Sequence, residues 1–456
     1  MQKQSFQMQE NTLTDTSSLT GLLAAGGAFQ GYAYAYPHKT AYRRLDPPRR
    51  LNEVWEKEDK ESLFLYAHIP FCEMRCGFCN LFTTTHPGAD RVSTYLDAFE
   101  RQSAAVAPAL GSVARVARLA IGGGTPTFLT IPELNRFFGT LNKYFLGSAK
   151  GVPKAVEASP ATMDAEKIAF LEAQGVTRVS LGVQSFIESE VRALGRAQHT
   201  SDVNRTLGML TSAKFPCVNI DLIYGINGQT PASWRRSLEE ALEFAPQEVY
   251  LYPLYVRPLT YLDQRGSPPT DARLELYRSG RDFLLEQGYR QISMRLFRSS
   301  SYCPPEGPVY CCQEDGMVGL GAGARSYTNA LHYSSEYAVG RSGVLNILAD
   351  YCERTHEEFS HADYGCELDV EEQKRRYLLK SLLRSDGLDY AAYQSFFTSE
   401  AHEDFSQLSE LAEAGLVQKS DRHLILNEQG LELSDVIGPW LWSPAVREKM
   451  DEFILS

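Results

Sequence analysis

The stretch that most constrains this chain runs from Leu63 to Thr83, LFLYAHIPFCEMRCGFCNLFT. Residues 63–67 are almost all apolar, the pattern of a strand buried on both faces. Pro70 then stops the pairing. Three cysteines follow at once, Cys72, Cys76 and Cys79, spaced C-x3-C-x2-C. With 9 cysteines in 456 residues, chance gives this spacing about 0.004 times in such a chain. The loop that carries them leaves a strand's C-terminal end, where α/β barrels keep their chemistry. Structural zinc takes four ligands, and a 4Fe–4S cluster that only carries electrons takes one cysteine per iron. Three thiolates leave one iron open to a substrate or cofactor. The bland alternatives are three unrelated core thiols or a partial zinc site.

Strands and helices alternate after this loop. Strands are expected at LFLYAHI, VARLAIGG, AVEASP, VTRVSLGVQSF, CVNIDLIYGI and EVYLYPLYV. Helices are expected at residues 89–109, 131–144, 164–174, 200–212, 234–244 and 271–287. Strict alternation argues for a parallel sheet. Before it, residues 1–18 read as disordered or loosely attached. The segment GLLAAGGAFQGYAYAYPHKTAYRRLDPPRR, with Tyr32, Tyr34, Tyr36 and Tyr42, reads as an arm packed on the main domain, with exposed Lys and Arg. Its functional alternative is that Tyr-Pro-His-Lys lines a substrate mouth. Pro47-Pro48 is expected to break regular structure. From Val370 onward, three amphipathic helices and the strand pair VQKSDRHLILNEQG suggest a small winged-helix-like module.

The net charge of −12, from 45 basic and 57 acidic residues, argues against nucleic acid or an anionic membrane as partner. The N-terminal residues lack an apolar signal core, and no apolar run is long enough for a bilayer. Free cysteines suit a reducing cytoplasm.

C-x3-C-x2-C with Phe78 before the last cysteine resembles the radical S-adenosylmethionine (SAM) superfamily. The longer string Tyr66-Ala-His-Ile-Pro-Phe-Cys72 resembles one branch, the oxygen-independent coproporphyrinogen III oxidase-like enzymes. The resemblance implies an α/β fold: a partial (β/α)6 barrel over 63–300 with an N-terminal arm over 1–62. A closing loop and glycine-rich strand segment would occupy 301–368, and the winged-helix-like module 369–456. It also implies a 4Fe–4S cluster on Cys72, Cys76 and Cys79, and SAM reductively cleaved to a 5′-deoxyadenosyl radical. Tyr66 would stand against the sulfonium end of SAM. The turn Gly123-Gly124-Thr125 would receive its amino group, and Glu157 resembles the family's SAM-binding glutamate. Phe78, Gln184, Arg196 and Asp221 match positions around a second SAM molecule in this branch, and Tyr255 falls near them. Further implied partners are a small-molecule substrate and an electron donor such as flavodoxin or ferredoxin. His68 and His199 are read as structural.

The chain also departs from its branch. Oxidases carry another cysteine two residues after the third, whereas here Asn80-Leu81-Phe82 follows Cys79. Related haem chaperones carry a His-Asn pair where this chain has Cys-Cys-Gln-Glu-Asp-Gly-Met-Val. Relatives that methylate heteroaromatic rings or build cyclopropanes keep the two-SAM pocket without those features. By elimination the expected reaction is C-methylation or methylene transfer. The alternatives are tetrapyrrole oxidation or decarboxylation, and haem binding. Cys303, Cys311 and Cys312 are spaced poorly for an auxiliary cluster and read as free thiols in a loop.

Overall fold

This computed structural model describes residues 18–455 apart from Ala25, Tyr34, 148–150 and 305–306. The expectations for residues 1–17 and Tyr34 lie outside these.

Thirteen strands make one sheet. In chain order they are β1 Arg43–Arg50, β2 Leu63–Ile69, β3 Val116–Gly123, β4 Lys154–Ala158, β5 Arg178–Gln184 and β6 Cys217–Tyr224. Then come β7 Glu248–Pro253, β8 Tyr289–Gln291, β9 Leu296–Ser299, β10 Met317–Leu320, β11 Arg325–Tyr327, β12 Leu331–Ser334 and β13 His361–Glu367. Their order across the sheet is β1-β13-β12-β11-β10-β2-β3-β4-β5-β6-β7-β9-β8. The six expected strands, β2 to β7, lie side by side and parallel. A seventh, β10, runs parallel to β2 on its other side. The two ends of the sheet are β1 and β8, so the barrel is open.

Local chemistry explains the covering helices. Helix α1 spans Leu19–Ala24 and α2 Ala89–Leu110. In α2, Val92, Tyr95, Leu96, Phe99, Val106 and Leu110 are buried, the spacing of one helical face. Helix α3, Ile131–Leu141, starts with a capping box between Thr130 and Glu133. It buries Leu134, Phe137, Phe138 and Leu141. Helix α4, Pro231–Leu242, has the same device in Thr230 and Ser233, with its proline in the first turn. Its Trp234 is fully buried and donates to the Leu276 carbonyl at 2.8 Å.

The C-terminal module has a core of its own, built around α5 Val370–Leu382 and α6 Ser434–Trp440. A three-stranded sheet, Leu388–Asp389, His423–Leu426 and Val417–Gln418, supplies the wing. The expected third helix is shorter than its sequence pattern. Residues 406–408 form a 3-10 turn, and only Ser409–Glu413 is α-helical.

Two expectations for the arm need correction. Leu19, Leu22, Ala33, Tyr36 and Ala41 belong to the core of the C-terminal module, so this part of the arm packs on that module. Pro47 and Pro48 lie inside β1 and do not end it. The pairing of β1 with β13 skips them, with an irregularity between Arg44 and Arg49. A proline that has no N–H to give fits an edge strand.

Asp435 joins the three parts. Its carboxylate pairs with Arg295 at 2.5 Å, with 0% and 3% of the two side chains accessible. Tyr255 donates to the same oxygen at 2.5 Å. The Asp435 carbonyl accepts the N–H groups of Gln30 and Gly31 at 3.2 and 3.1 Å. Removing one member of a buried pair leaves the other charged and dry, at a cost of about 3–5 kcal/mol. Asp435→Ala is therefore expected to lower the urea midpoint by that equivalent. A loss below about 1 kcal/mol would mean that water compensates Arg295.

Candidate active site

The cysteine loop begins where β2 ends. Cys72 is buried, and Cys76 and Cys79 are half-buried. Thr83 Oγ1 lies 3.0 Å from Cys72 Sγ, and Thr125 Oγ1 donates to the same sulfur at 3.5 Å. Arg196 Nη1 donates to Cys76 Sγ at 3.0 Å. The guanidinium is held by the Gly182 carbonyl at 2.8 Å and by Gln198 Oε1 at 2.8 Å. Burial raises the Cys72 thiol and pushes Cys79 up to about 12. These thiols stay protonated until a metal displaces the proton. The three sulfurs are not all within 4.8 Å of one another. A single tetrahedral ion with sulfur bonds of about 2.3 Å would need them closer. The wider spread and the hydroxyl and guanidinium donors suit a larger iron–sulfur group.

Glycines let this loop lie against the sheet. A Cβ on Gly124 would come 2.5 Å from the Phe71 carbonyl oxygen, 2.7 Å from Thr83 Oγ1 and 2.9 Å from Cys72 Sγ. On Gly123 it would meet the His68 ring at 2.7 Å, and here φ is +115°. Cβ atoms do not approach that closely, so only glycine fits at either position.

His68 is structural, as expected, and has a defined task. Its Nε2 is 2.9 Å from the Phe82 carbonyl, so that nitrogen donates. Nδ1 then accepts from the Tyr66 hydroxyl at 3.1 Å. Burial depresses His68 to about 4, so the ring stays neutral and keeps this orientation. His199 caps the helix that begins at Thr200 and is exposed.

Near Tyr66, two carboxylates project from β4 and β6, with β5 between them. Glu157 on β4 accepts the Gly123 N–H at 3.2 Å. Burial, and then the charge of Asp221, raises it to about 7. Glu157 nevertheless keeps an exposed surface, so it faces open space inside the fold. Asp221 on β6 accepts from Asn219 Nδ2 at 2.7 Å and from Ser180 at 3.3 Å, and burial raises it to about 6. Gln184 ends β5 at φ +70°, beside an irregularity in the pairing with β6. A non-glycine residue in that conformation costs about 1–3 kcal/mol and persists where the surroundings demand it. Phe78 packs with Leu194, Ile223, Ile226, Leu254 and Leu262, which pins the cysteine loop to the sheet ends. Tyr255 is different. Its hydroxyl is committed to Asp435, so it serves the docking of the C-terminal module.

The model of the Radical SAM superfamily matches residues 66–241. Those residues form a radical SAM domain. The heme chaperone HemW of Bacillus subtilis is 28% identical over 392 residues, which cover 82% of this chain and 98% of the relative. The oxygen-independent coproporphyrinogen III oxidase of Escherichia coli is 27% identical over 425 residues, 88% of this chain and 91% of the relative. The structure of coproporphyrinogen III oxidase (HemN) from Escherichia coli superposes with a TM-score of 0.75 at 23% identity. It covers 91% of this chain and 99% of that one, which shows a shared fold. The chain thus carries a radical SAM domain and is similar to these relatives over most of its length; that superfamily implies a 4Fe–4S cluster and SAM. Cys72, Cys76 and Cys79 could hold the cluster. The expected methyl transfer gains no support from these relatives, which favour the two alternatives.

Three cations stand near the site, and of these the sequence offers only Lys39, in the Tyr-Pro-His-Lys alternative for a substrate mouth. Lys39 is half-buried, and its ammonium lies 3.5 Å from the centroid of the Tyr337 ring. Tyr337 in turn donates to the carbonyl of Asn80, the residue after Cys79. Arg325 follows the late glycine turn, and Arg257 follows β7. Isolated basic residues in loops carry no pattern that sequence reasoning can find. Cys303 is exposed, and Cys311 and Cys312 lie 3.3 and 3.2 Å from Gln313 Oε1. Among the described residues no metal-ligand group gathers around them.

Gly124→Ala is expected to push Cys72 out of place and cut iron and sulfide incorporation at least fivefold after anaerobic reconstitution, with the far-ultraviolet circular dichroism unchanged. Full incorporation would show that the loop tolerates the methyl group.

Proposed function

We propose that this protein is a radical SAM oxidoreductase of the coproporphyrinogen oxidase type, acting on a tetrapyrrole-like substrate. Its whole-length likeness carries this reading: the match to the Escherichia coli oxidase spans 91% of that relative, and so reaches well beyond the radical SAM domain. The cluster, when bound, supplies the electron that splits SAM into methionine and a 5′-deoxyadenosyl radical.

The chain's own residues then have separate tasks. Thr125 and Arg196 donate to the sulfurs of Cys72 and Cys76 and favour their charged form, with Thr83 Oγ1 3.0 Å from the Cys72 sulfur. Glu157, beside the Gly123 N–H, would pair with the ammonium of SAM. Tyr66, oriented by neutral His68, would stand against its sulfonium end. Gln184 and Asp221 would hold polar groups of a ligand beside it.

A second reading, methyl transfer from a second SAM, is favoured by one observation. Leu81, exposed on the surface, stands where the oxidases carry their further cysteine. Anaerobic incubation with dithionite, SAM and coproporphyrinogen III separates the readings. Oxidation gives 5′-deoxyadenosine with a vinyl product. Methyl transfer gives S-adenosylhomocysteine as well and no vinyl product. Neither nucleoside product, together with a Soret shift on adding haem, would replace both with a haem-binding role.

Glu157 also sets a pH dependence. With its carboxyl raised to about 7, it is mostly protonated at pH 6 and mostly ionised at pH 8. Its attraction for an ammonium therefore grows as pH rises through about 7. SAM affinity by equilibrium dialysis should be roughly tenfold tighter at pH 8 than at pH 6. Glu157→Gln should bind weakly with a flatter profile. An equal slope in the variant would assign the titration to another group.

A further inference from the structure

Lys39, Arg257 and Arg325 come from three separate places: the arm, the loop after β7, and β11. Among the described residues none of them makes an ion pair. Lys39 has the Tyr337 ring at 3.5 Å, Arg257 the Tyr255 ring at 4.3 Å, and Arg325 the Tyr327 ring at 5.8 Å. The charged neighbours of Lys39 are mostly cations. Burial, then Arg325 and Arg257, hold its ammonium well below its usual value. The groups that favour the Arg325 charge are phenols: Tyr327, Tyr42, Tyr66 and Tyr32. Lys39, Arg257 and Arg325 are all half-buried, so each keeps surface that a ligand can reach. The space Lys39 faces adjoins the cysteine loop, because Tyr337 bridges Lys39 to Asn80.

Holding like charges together without a counter-ion is costly, and a protein normally pairs buried charges. Among the described residues no anionic partner stands beside them, which leaves that place open to a ligand. We propose that Lys39, Arg257 and Arg325 form the recognition site for carboxylates of the substrate, and thereby place it against the cysteine loop. The inference rests on reading this space as the substrate site, but not on the substrate being a tetrapyrrole. The flanking rings of Tyr66, Tyr327 and Tyr337 would pack against an apolar or conjugated body. Phenol hydroxyls add donors to the same carboxylates. A carboxylate in this place could belong to the substrate or to a SAM molecule, and the test separates the two.

Reconstituted holoenzyme is titrated with propane-1,2,3-tricarboxylate and with coproporphyrin III, a stable tetracarboxylate macrocycle. Thermal shift reads the first and porphyrin fluorescence the second. SAM stoichiometry is measured on the same samples by equilibrium dialysis. Lys39→Gln and Arg325→Gln are each expected to weaken anion binding at least tenfold, with Arg325→Lys partly restoring it. Each glutamine variant should also melt no lower than the parent without anion, since mutual repulsion is relieved. A merely structural cation would lower it. Tricarboxylate binding that depends on these residues, without porphyrin binding, would keep the carboxylate site and remove the tetrapyrrole reading. Anion affinity unchanged in the variants, or absent from the parent, would overturn the proposal. So would variants that lose a SAM molecule and keep the anion, for then the cations serve the cofactor's own carboxylate.

Discussion

One buried carboxylate sets how this molecule is assembled. Asp435 lies where the strands and loops from β7 to β9, the arm and the C-terminal module meet. Arg295 and Tyr255 reach it from those loops, and the arm's backbone at Gln30 and Gly31 hangs on its carbonyl. Glu432, on the preceding turn, adds pairs to Arg281 and Arg278 on the helix between β7 and β8. A buried ion pair gives little net stability compared with apolar packing, but it is intolerant of misplacement. It therefore acts chiefly as a registration device. It fixes where the arm passes, and so where Lys39 ends up relative to the cysteine loop. The C-terminal module thus shapes the site from a distance, through the path it imposes on the arm.

The site's second constraint is crowding. Each glycine at the end of β3 faces a specific group: a Cβ on Gly122 would come 2.8 Å from the Glu157 carboxylate, and Gly123 faces the His68 ring and Gly124 the Cys72 sulfur. The turn is therefore a mould around three functional side chains. It also supplies the N–H that Glu157 accepts. Backbone placed this close keeps water away from Cys72, which is why that thiol rises and why hydroxyl donors beside it matter. The same logic explains Tyr66 and His68. A charged imidazole would point both nitrogens as donors, and the tyrosine would lose its acceptor.

Much of this could be read in the sequence because local chemistry dictates it. The six parallel strands are apolar runs between capped helices, and every one forms. The three cysteines stand out by their spacing on the loop after β2, and Glu157 and Gln184 by their places in the last two residues of β4 and β5; Asp221 lies inside β6. The arm was not legible. Pro47 and Pro48 look like breakers, yet an edge strand with a pairing gap accepts them. Lys39 looks like a solvated lysine, and only the long-range packing of Tyr337 and the C-terminal module half-buries it. Tyr255 failed for a related reason. It lies just past a strand end as the ligand-binding residues do, but its hydroxyl is claimed by Asp435, 180 residues away. Tertiary burial of polar groups leaves no local pattern.

The charges around the site are sorted by side. Acids, Glu157 and Asp221, project from the central strands β4 and β6. Cations, Arg325, Lys39 and Arg257, come from the later strand β11, the arm and the loop after β7. Tyr66 on β2 stands between the two sets and responds to both, with Glu157 raising its hydroxyl and Arg325 opposing that rise. SAM carries a sulfonium, an ammonium and one carboxylate. On the proposed reading its cationic groups would lie on the acidic side and offset the repulsion between Glu157 and Asp221, while a carboxylate of the substrate would balance the cations opposite. The two sides would then fill as a complementary pair, each occupant relieving repulsion among the side chains that hold it, without any moving part.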